Sequence, residues 1–175
     1  MRLFVAVVPD EKVRRELLLL GQNWRRMGVR GNYSTDSQLH ITLAFLGERN
    51  DPRQVLEALR EVDFPAFEVR FSRTGAFPSL WWAGTDRCPG LERLAAAVRA
   101  KLDQKGVEYD RKRFMPHVTL VRRPALPDTD TDGTQIRTCV RPDASCRVSR
   151  FSLMKSERGE RGMVYTEIGS VCARD

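Results

Sequence analysis

Two short stretches share one frame. LHITLAFLGE (39–48) and MPHVTLVRR (115–123) each carry His, an aliphatic residue, Thr and Leu, and between them they use both histidines of the 175-residue chain. The frame constrains the fold because side chains alternate across a strand. His40 and Thr42 then share one face while Ile41 and Leu43 share the other, and the same holds for His117 and Thr119 against Val118 and Leu120. Each strand must bury its aliphatic face in a core and present its His/Thr face elsewhere. Two such strands, one per lobe, bring two imidazoles and two hydroxyls to a common cleft.

The surrounding periodicities supply both lobes. RLFVAVV (2–8) forms a buried strand closed by Pro9. Asp10 stands as N-cap to a helix with Val13, Leu17, Leu20 and Trp24 on one face. Asp51 caps a second helix with Pro52 at its first position. AFEVRFSRTGAF and SLWWAG are strands, and PGLERLAAAVRAKLDQKG is an amphipathic helix stopped by Gly106. After the strand at 116–122 comes a polar, Pro- and Asp-rich stretch at 124–145, expected as a long flexible loop, and then strands around 146–155 and 162–170. The order predicts an α+β domain spanning 1–175, with two related lobes of antiparallel sheet plus helices.

Composition narrows the function classes. No run approaches 18 apolar residues, which excludes a membrane-spanning helix, and the apolar start is too short for a secretory signal. Cys88, Cys139, Cys146 and Cys172 lack C-x-x-C spacing and a nearby histidine, which argues against structural zinc and for reduced thiols in the cytoplasm. The net charge of +7 suits polyanionic partners; 25 of the 30 basic residues are Arg, whose planar fork pairs with phosphate.

The paired frames have the parts for phosphoryl chemistry. One imidazole serves as base toward an attacking hydroxyl or water, and the other protonates the leaving oxygen. The Thr42 and Thr119 hydroxyls donate to oxygens where charge builds. No metal or other cofactor is required, and a two-His metal site lacks a third ligand at a recognisable spacing, Asp110 being the nearest candidate. The residues alone assign one acid and one base without saying which is which.

Both frames resemble those of the two-histidine phosphoesterases, and more closely those of the RNA 2′,3′-cyclic phosphodiesterases, also called 2′-5′ RNA ligases. RLFVAVVP, HITLAFLGE, RFMPHVTLVR and the closing FSLMKSERGERGMVYTEI, with Ser156 and Tyr165, carry the likeness over 1–123 and about 146–170. The resemblance implies a bilobal fold around a positively charged cleft. It implies hydrolysis of RNA 2′,3′-cyclic phosphate ends, tRNA fragments among them, to 2′-phosphates by a monomer. His40 would be the proton donor, His117 the proton acceptor, Thr42 and Thr119 the phosphate holders and Arg122 a phosphate binder. Arg123 gains no such support. Phe45 either stacks on a terminal base, if the strand bends, or packs in the core, where strict alternation puts it opposite His40 and Thr42 and which is the favoured role. One of Trp81 and Trp82 packs inward. The likeness lapses at 124–145, where the family carries an ordered, partly helical element. Ligation of a cyclic phosphate to a 5′-hydroxyl is the alternative within the same chemistry, with an RNA hydroxyl replacing water. A non-catalytic nucleotide-binding module is the other alternative, although binding alone has no need of two titratable groups.

Overall fold

β1 (Arg2–Val7) is buried almost throughout because it runs in the middle of a four-stranded antiparallel sheet, ordered β3-β1-β8-β9. Its neighbours are β3 (Ile41–Glu48), β8 (Arg150–Gly159) and β9 (Gly162–Cys172). A second sheet has the order β2-β6-β5-β4-β7, formed by β2 (Arg30–Tyr33), β4 (Phe67–Phe77), β5 (Leu80–Thr85), β6 (His117–Ala125) and β7 (Ala144–Val148). All pairings within both sheets are antiparallel. This computed structural model describes residues 1–128 and 132–175.

Each sheet receives one His/Thr strand, β3 in the first and β6 in the second. The helices cross between sheets. α1 (Glu11–Arg26) leaves β1 of the first sheet and packs on β6 and β7 of the second. α3 (Pro89–Gln104) leaves β5 of the second and packs on β3 of the first, beside α2 (Pro52–Leu59). The aliphatic faces of both His/Thr strands, Ile41 and Leu43 with Val118 and Leu120, therefore join one continuous core with Leu17, Trp24, Leu94, Val98 and Phe151. Burial of that area is the main favourable term holding the sheets to the helices.

Asp10 caps α1 as its position implies, accepting from the Val13 N–H at 2.9 Å. Asp51 does not cap α2 through its side chain. Its two oxygens accept instead from Arg49 Nε and Nη2, both at 2.8 Å.

The stretch around 146–155 is two strands, not one. Arg147 and Cys146 pair with β4 in the second sheet, whereas Ser152 and Leu153 pair with β1 in the first, and the chain changes sheets at Ser149. Inside 124–145, expected as a loop, Pro124 and Ala125 finish β6 and Ala144 begins β7. Between them a helical turn α4 (Thr134–Thr138) sends Ile136 into the core. Besides this anchor, the Thr134 N–H donates to Asp132 Oδ1 at 2.9 Å and Thr74 Oγ1 donates to Arg137 O at 3.1 Å, so polar groups help to order the turn. Thr129, Asp130 and Thr131 of the expected loop lie outside the described residues. All four cysteines are free thiols.

Candidate active site

The two frames are built alike down to an irregularity that the sequence does not announce. In β3, Ala44 pairs with Val5 and Thr42 with Ala6, so Leu43 is an extra residue in the ladder. In β6, Val121 pairs with Trp81 and Thr119 with Trp82, so Leu120 is extra in the same way. A bulge of this kind resets the alternation. The residue three after each Thr consequently returns to the His/Thr face: Phe45 in one strand, Arg122 in the other.

Each bulge frees a carbonyl that needs a donor. Arg99 Nε, from α3, donates to Leu43 O at 3.0 Å, and the Ser34 N–H donates to Leu120 O at 2.9 Å. Arg99 does more than complete the ladder. Its Nη1 donates to Lys112 O at 2.8 Å, on the segment leading to His117, while the Asp110 N–H donates to Phe45 O at 2.8 Å. One guanidinium and one backbone bond thus tie the approach to the second frame onto the strand of the first.

His40 sits immediately before β3, half-buried. Its Nδ1 donates to Gln38 O at 2.7 Å, because a carbonyl can only accept. In the neutral ring Nε2 is then bare and accepts from Thr42 Oγ1 at 3.0 Å. Phe4 and Tyr165 wall the ring at centroid distances of 4.8 and 5.2 Å, Tyr165 edge-on. His117 opens β6 with the same local device. Its Nδ1 donates to Met115 O at 2.6 Å, and Phe77 and Trp82 flank the ring at 5.0 and 6.0 Å. Both histidines therefore turn Nε2 into the proton-exchanging nitrogen.

Trp82 reaches His117 because two glycines make room. A Cβ on Gly75 would stand 2.1 Å from the indole, and one on Gly84 2.5 Å. Trp81 faces the core, as one of the pair was expected to do.

Burial sets the electrostatics. Loss of water around His40 pushes its pKa down to about 4, with Arg122 and His117 adding to the depression and the Gln38 carbonyl opposing it. His117 is lowered too, by burial first, with Arg122 adding to it against the pull of the Met115 carbonyl. Arg122 is thus electrostatically felt by both rings, and through them the two frames meet.

Beside this meeting point opens a cleft of about 620 Å³ lined by Thr42, Phe45, Phe77, Arg113, Phe114 and His117, among others. Phe45 is accordingly a correction to strict alternation. It lines the cleft and packs with Phe4, Ala6, Met154 and Tyr165 on the face of the first sheet opposite the main core. Arg2 lies over its ring at 5.3 Å.

Asp110 also borders the cleft, with its carboxylate engaged by the Lys112 N–H and Lys112 Nζ. Among the described residues no three His, Cys, Asp or Glu side chains gather in a metal-binding group. Arg123, within β6, has a left-handed backbone with φ +52°, and its N–H donates to Ser79 O at 2.7 Å. Ser156 pairs with Tyr165 across β8 and β9. The aromatic walls Phe4, Phe77 and Tyr165 and the segment Lys112–Met115 were not singled out in the sequence as site residues. RKRFMP, with basic and aromatic residues interleaved just before His117, was the available signal for the latter.

A sequence 37% identical over 96% of this chain and 98% of its own length is the RNA 2′,3′-cyclic phosphodiesterase of Archaeoglobus fulgidus. The crystal structure of TT0787 of Thermus thermophilus superposes with a TM-score of 0.80 at 30% identity, covering 98% of this chain and 97% of that one. Apo LigT of Escherichia coli superposes at 0.78 with 25% identity, covering 99% and 98%. Residues 9–160 match the model of the 2′-5′ RNA ligase superfamily, and the chain belongs to that superfamily.

Proposed function

We propose that this chain is an RNA 2′,3′-cyclic phosphodiesterase that yields a 2′-phosphomonoester by paired-histidine acid–base catalysis, with no metal taking part. The observation that carries the reading is the matched pair of bulges, which turns Phe45 and Arg122 back to the faces of Thr42 and Thr119, together with a cleft that Thr42 and His117 line beside Arg99, Lys112, Arg113 and aromatic walls. The names of the relatives point the same way.

In the proposed reaction His117 Nε2 takes a proton from water as the water oxygen bonds to phosphorus. The bond from phosphorus to O3′ breaks, and His40 Nε2–H delivers its proton to O3′. The product keeps its phosphate on O2′ and regains a 3′-hydroxyl. Thr42, Thr119 and Arg122 hold the non-bridging oxygens, where hydrogen bonds to charge are strongest. His40 enters with a depressed pKa, so it must take up its proton with the substrate. An anionic phosphate between the rings offsets the burial and the Arg122 charge that depress it. A 5′-hydroxyl in place of water would run the ligation from the same groups.

Short RNA ending in a 2′,3′-cyclic phosphate, incubated with EDTA, tests the reading. A 2′-phosphate product is expected, and a 2′-5′ joined product would reveal the ligation. A 3′-phosphate product, or turnover abolished by EDTA and restored by a metal ion, would refute it. The protein acts in this reading as a cytoplasmic monomer on RNA ends, including those of tRNA fragments. Light scattering during gel filtration checks the monomer.

A further inference from the structure

His117 borders a second cavity besides the main cleft. It measures about 300 Å³ and lies against Trp82 and the start of α3. The two spaces share Phe77, Arg113, Phe114, Met115 and His117, so they are neighbours across one ridge. Met115, 51% exposed, crowns that ridge while its carbonyl orients His117.

The second space differs in chemistry. Where the main cleft offers Phe45 and Leu80 with Arg99 and Lys112, this one offers Arg73 and Arg87 and few apolar walls of its own, both sharing Arg113. Arg73 is held in place by its Nε donating to Thr85 O at 3.1 Å, which leaves its outer nitrogens able to grip an anion in a fork. Asp86 and Glu92 border the cavity as well; Ser72 and Arg70 occupy the Asp86 oxygens, and Glu92 stands on the first turn of α3. Thr85, 1% exposed, lines the space with a hydroxyl that has no hydrogen-bond partner among the described residues. A buried hydroxyl in that condition favours a ligand oxygen nearby.

Resting on the cyclic phosphodiesterase reading, we propose that this second cavity is a phosphate subsite for the backbone phosphate one nucleotide upstream of the cyclic end. The main cleft, with aromatic walls, takes the terminal nucleoside, and the chain continues over the Met115 ridge. Single strands are commonly tracked in this way, by alternating aromatic surface and cationic groove. The substrate class is therefore an oligonucleotide end in preference to a free nucleoside 2′,3′-cyclic phosphate.

The test compares three substrates: a dinucleotide with a cyclic phosphate end, the same dinucleotide with an uncharged methylphosphonate at its internal linkage, and a nucleoside 2′,3′-cyclic phosphate. In the unmodified protein, kcat/KM falls about tenfold on replacing the internal phosphate, the size of one lost charge-assisted hydrogen bond. Arg87→Gln and Arg73→Gln each give a similar fall on the charged dinucleotide. They cause much less on the methylphosphonate and on the mononucleotide. The exposed Arg87 keeps the test valid should Arg73→Gln disturb β4. Equal losses on all three substrates, or no effect of the methylphosphonate, would overturn the subsite while leaving the cyclic phosphodiesterase reading intact. Absence of turnover on every substrate would instead remove that reading, and the subsite with it.

Discussion

The two His/Thr strands start from nearly the same four residues and end in different environments. His40 lies against Phe4 and Tyr165 in a pocket that lowers its pKa to about 4. His117 lies on a ridge between two cavities, with Phe77 and Trp82 on its flanks and a milder depression. The same bulge turns Phe45 forward in one strand and Arg122 forward in the other, an aromatic ring against a cation. In the proposed reaction the frame supplies the reacting groups in duplicate, and the surroundings make the copies unequal. Unequal pKa values in a pair of titratable groups are what divided acid and base roles require.

The largest effects should come from removing either ring. His40→Ala and His117→Ala are each expected to lower kcat by about 10²- to 10⁴-fold, the usual contribution of a positioned acid or base. Affinity for a 2′-phosphorylated RNA end should stay within a few-fold. If one variant retains near-normal turnover, the division of labour between the strands is wrong.

The two sides should also differ in stability. A folded-state pKa of about 4 against 6.5 unfolded means the unfolded chain binds more protons in that interval. The stability involved is fully present above pH 6.5 and is lost as pH falls through about 4, amounting to about 3 kcal/mol at most. Urea unfolding at pH 7 and pH 4.5 should show His40→Gln losing less stability on acidification than the unmodified chain. His117→Gln should narrow the loss less. Equal acid losses in all three proteins would remove the claimed difference in burial.

Next in size is the contrast at the bulge-exposed positions. Arg122→Ala should lower kcat/KM by about 10- to 100-fold through lost charge-assisted contacts to phosphate. Phe45→Leu, which keeps most of the apolar surface, should cost only a few-fold. Comparable losses at the two positions would mean that Phe45 contributes more than a wall.

How much of this was legible in the sequence differs by level. The strands of both frames and the caps and breaks at Asp10, Pro52 and Gly106 follow from local spacing, and the structure has them there. Arg122 as a phosphate binder follows from resemblance alone, and in the structure its charge bears on both rings. The face of Phe45 did not follow. A leucine after each Thr looks like regular alternation, and the bulge depends on donors far away in sequence, Arg99 for Leu43 and Ser34 for Leu120. The split at Ser149 was hidden for a related reason: apolar alternation continues while the partner strand changes from β4 to β1. The walls of the site, Phe4, Tyr165, Phe77 and Trp82, come from four strands in two sheets. Only the tertiary fold assembles them.

The smallest predicted effect tests the inequality of the strands most directly. kcat/KM follows the protonation of the free protein, and kcat follows that of the complex. In the free protein burial and Arg122 hold His40 low, so the form with a proton on His40 and none on His117 is scarce near neutrality. A phosphate anion between the rings adds the opposite charge and raises both values. The alkaline limb of kcat should therefore lie about 1–3 pH units above that of kcat/KM. Arg122→Ala takes away a positive charge that depresses both rings, so both of its limbs should move to higher pH, the kcat/KM limb by the larger amount. The limbs belong to the coupled pair and not to one residue, and the asymmetry is read from how far each limb moves. Coincident limbs in the unmodified protein would mean that His40 already carries its proton before the substrate arrives, and the aromatic pocket around it would then have to be stabilising the charge that its burial disfavours.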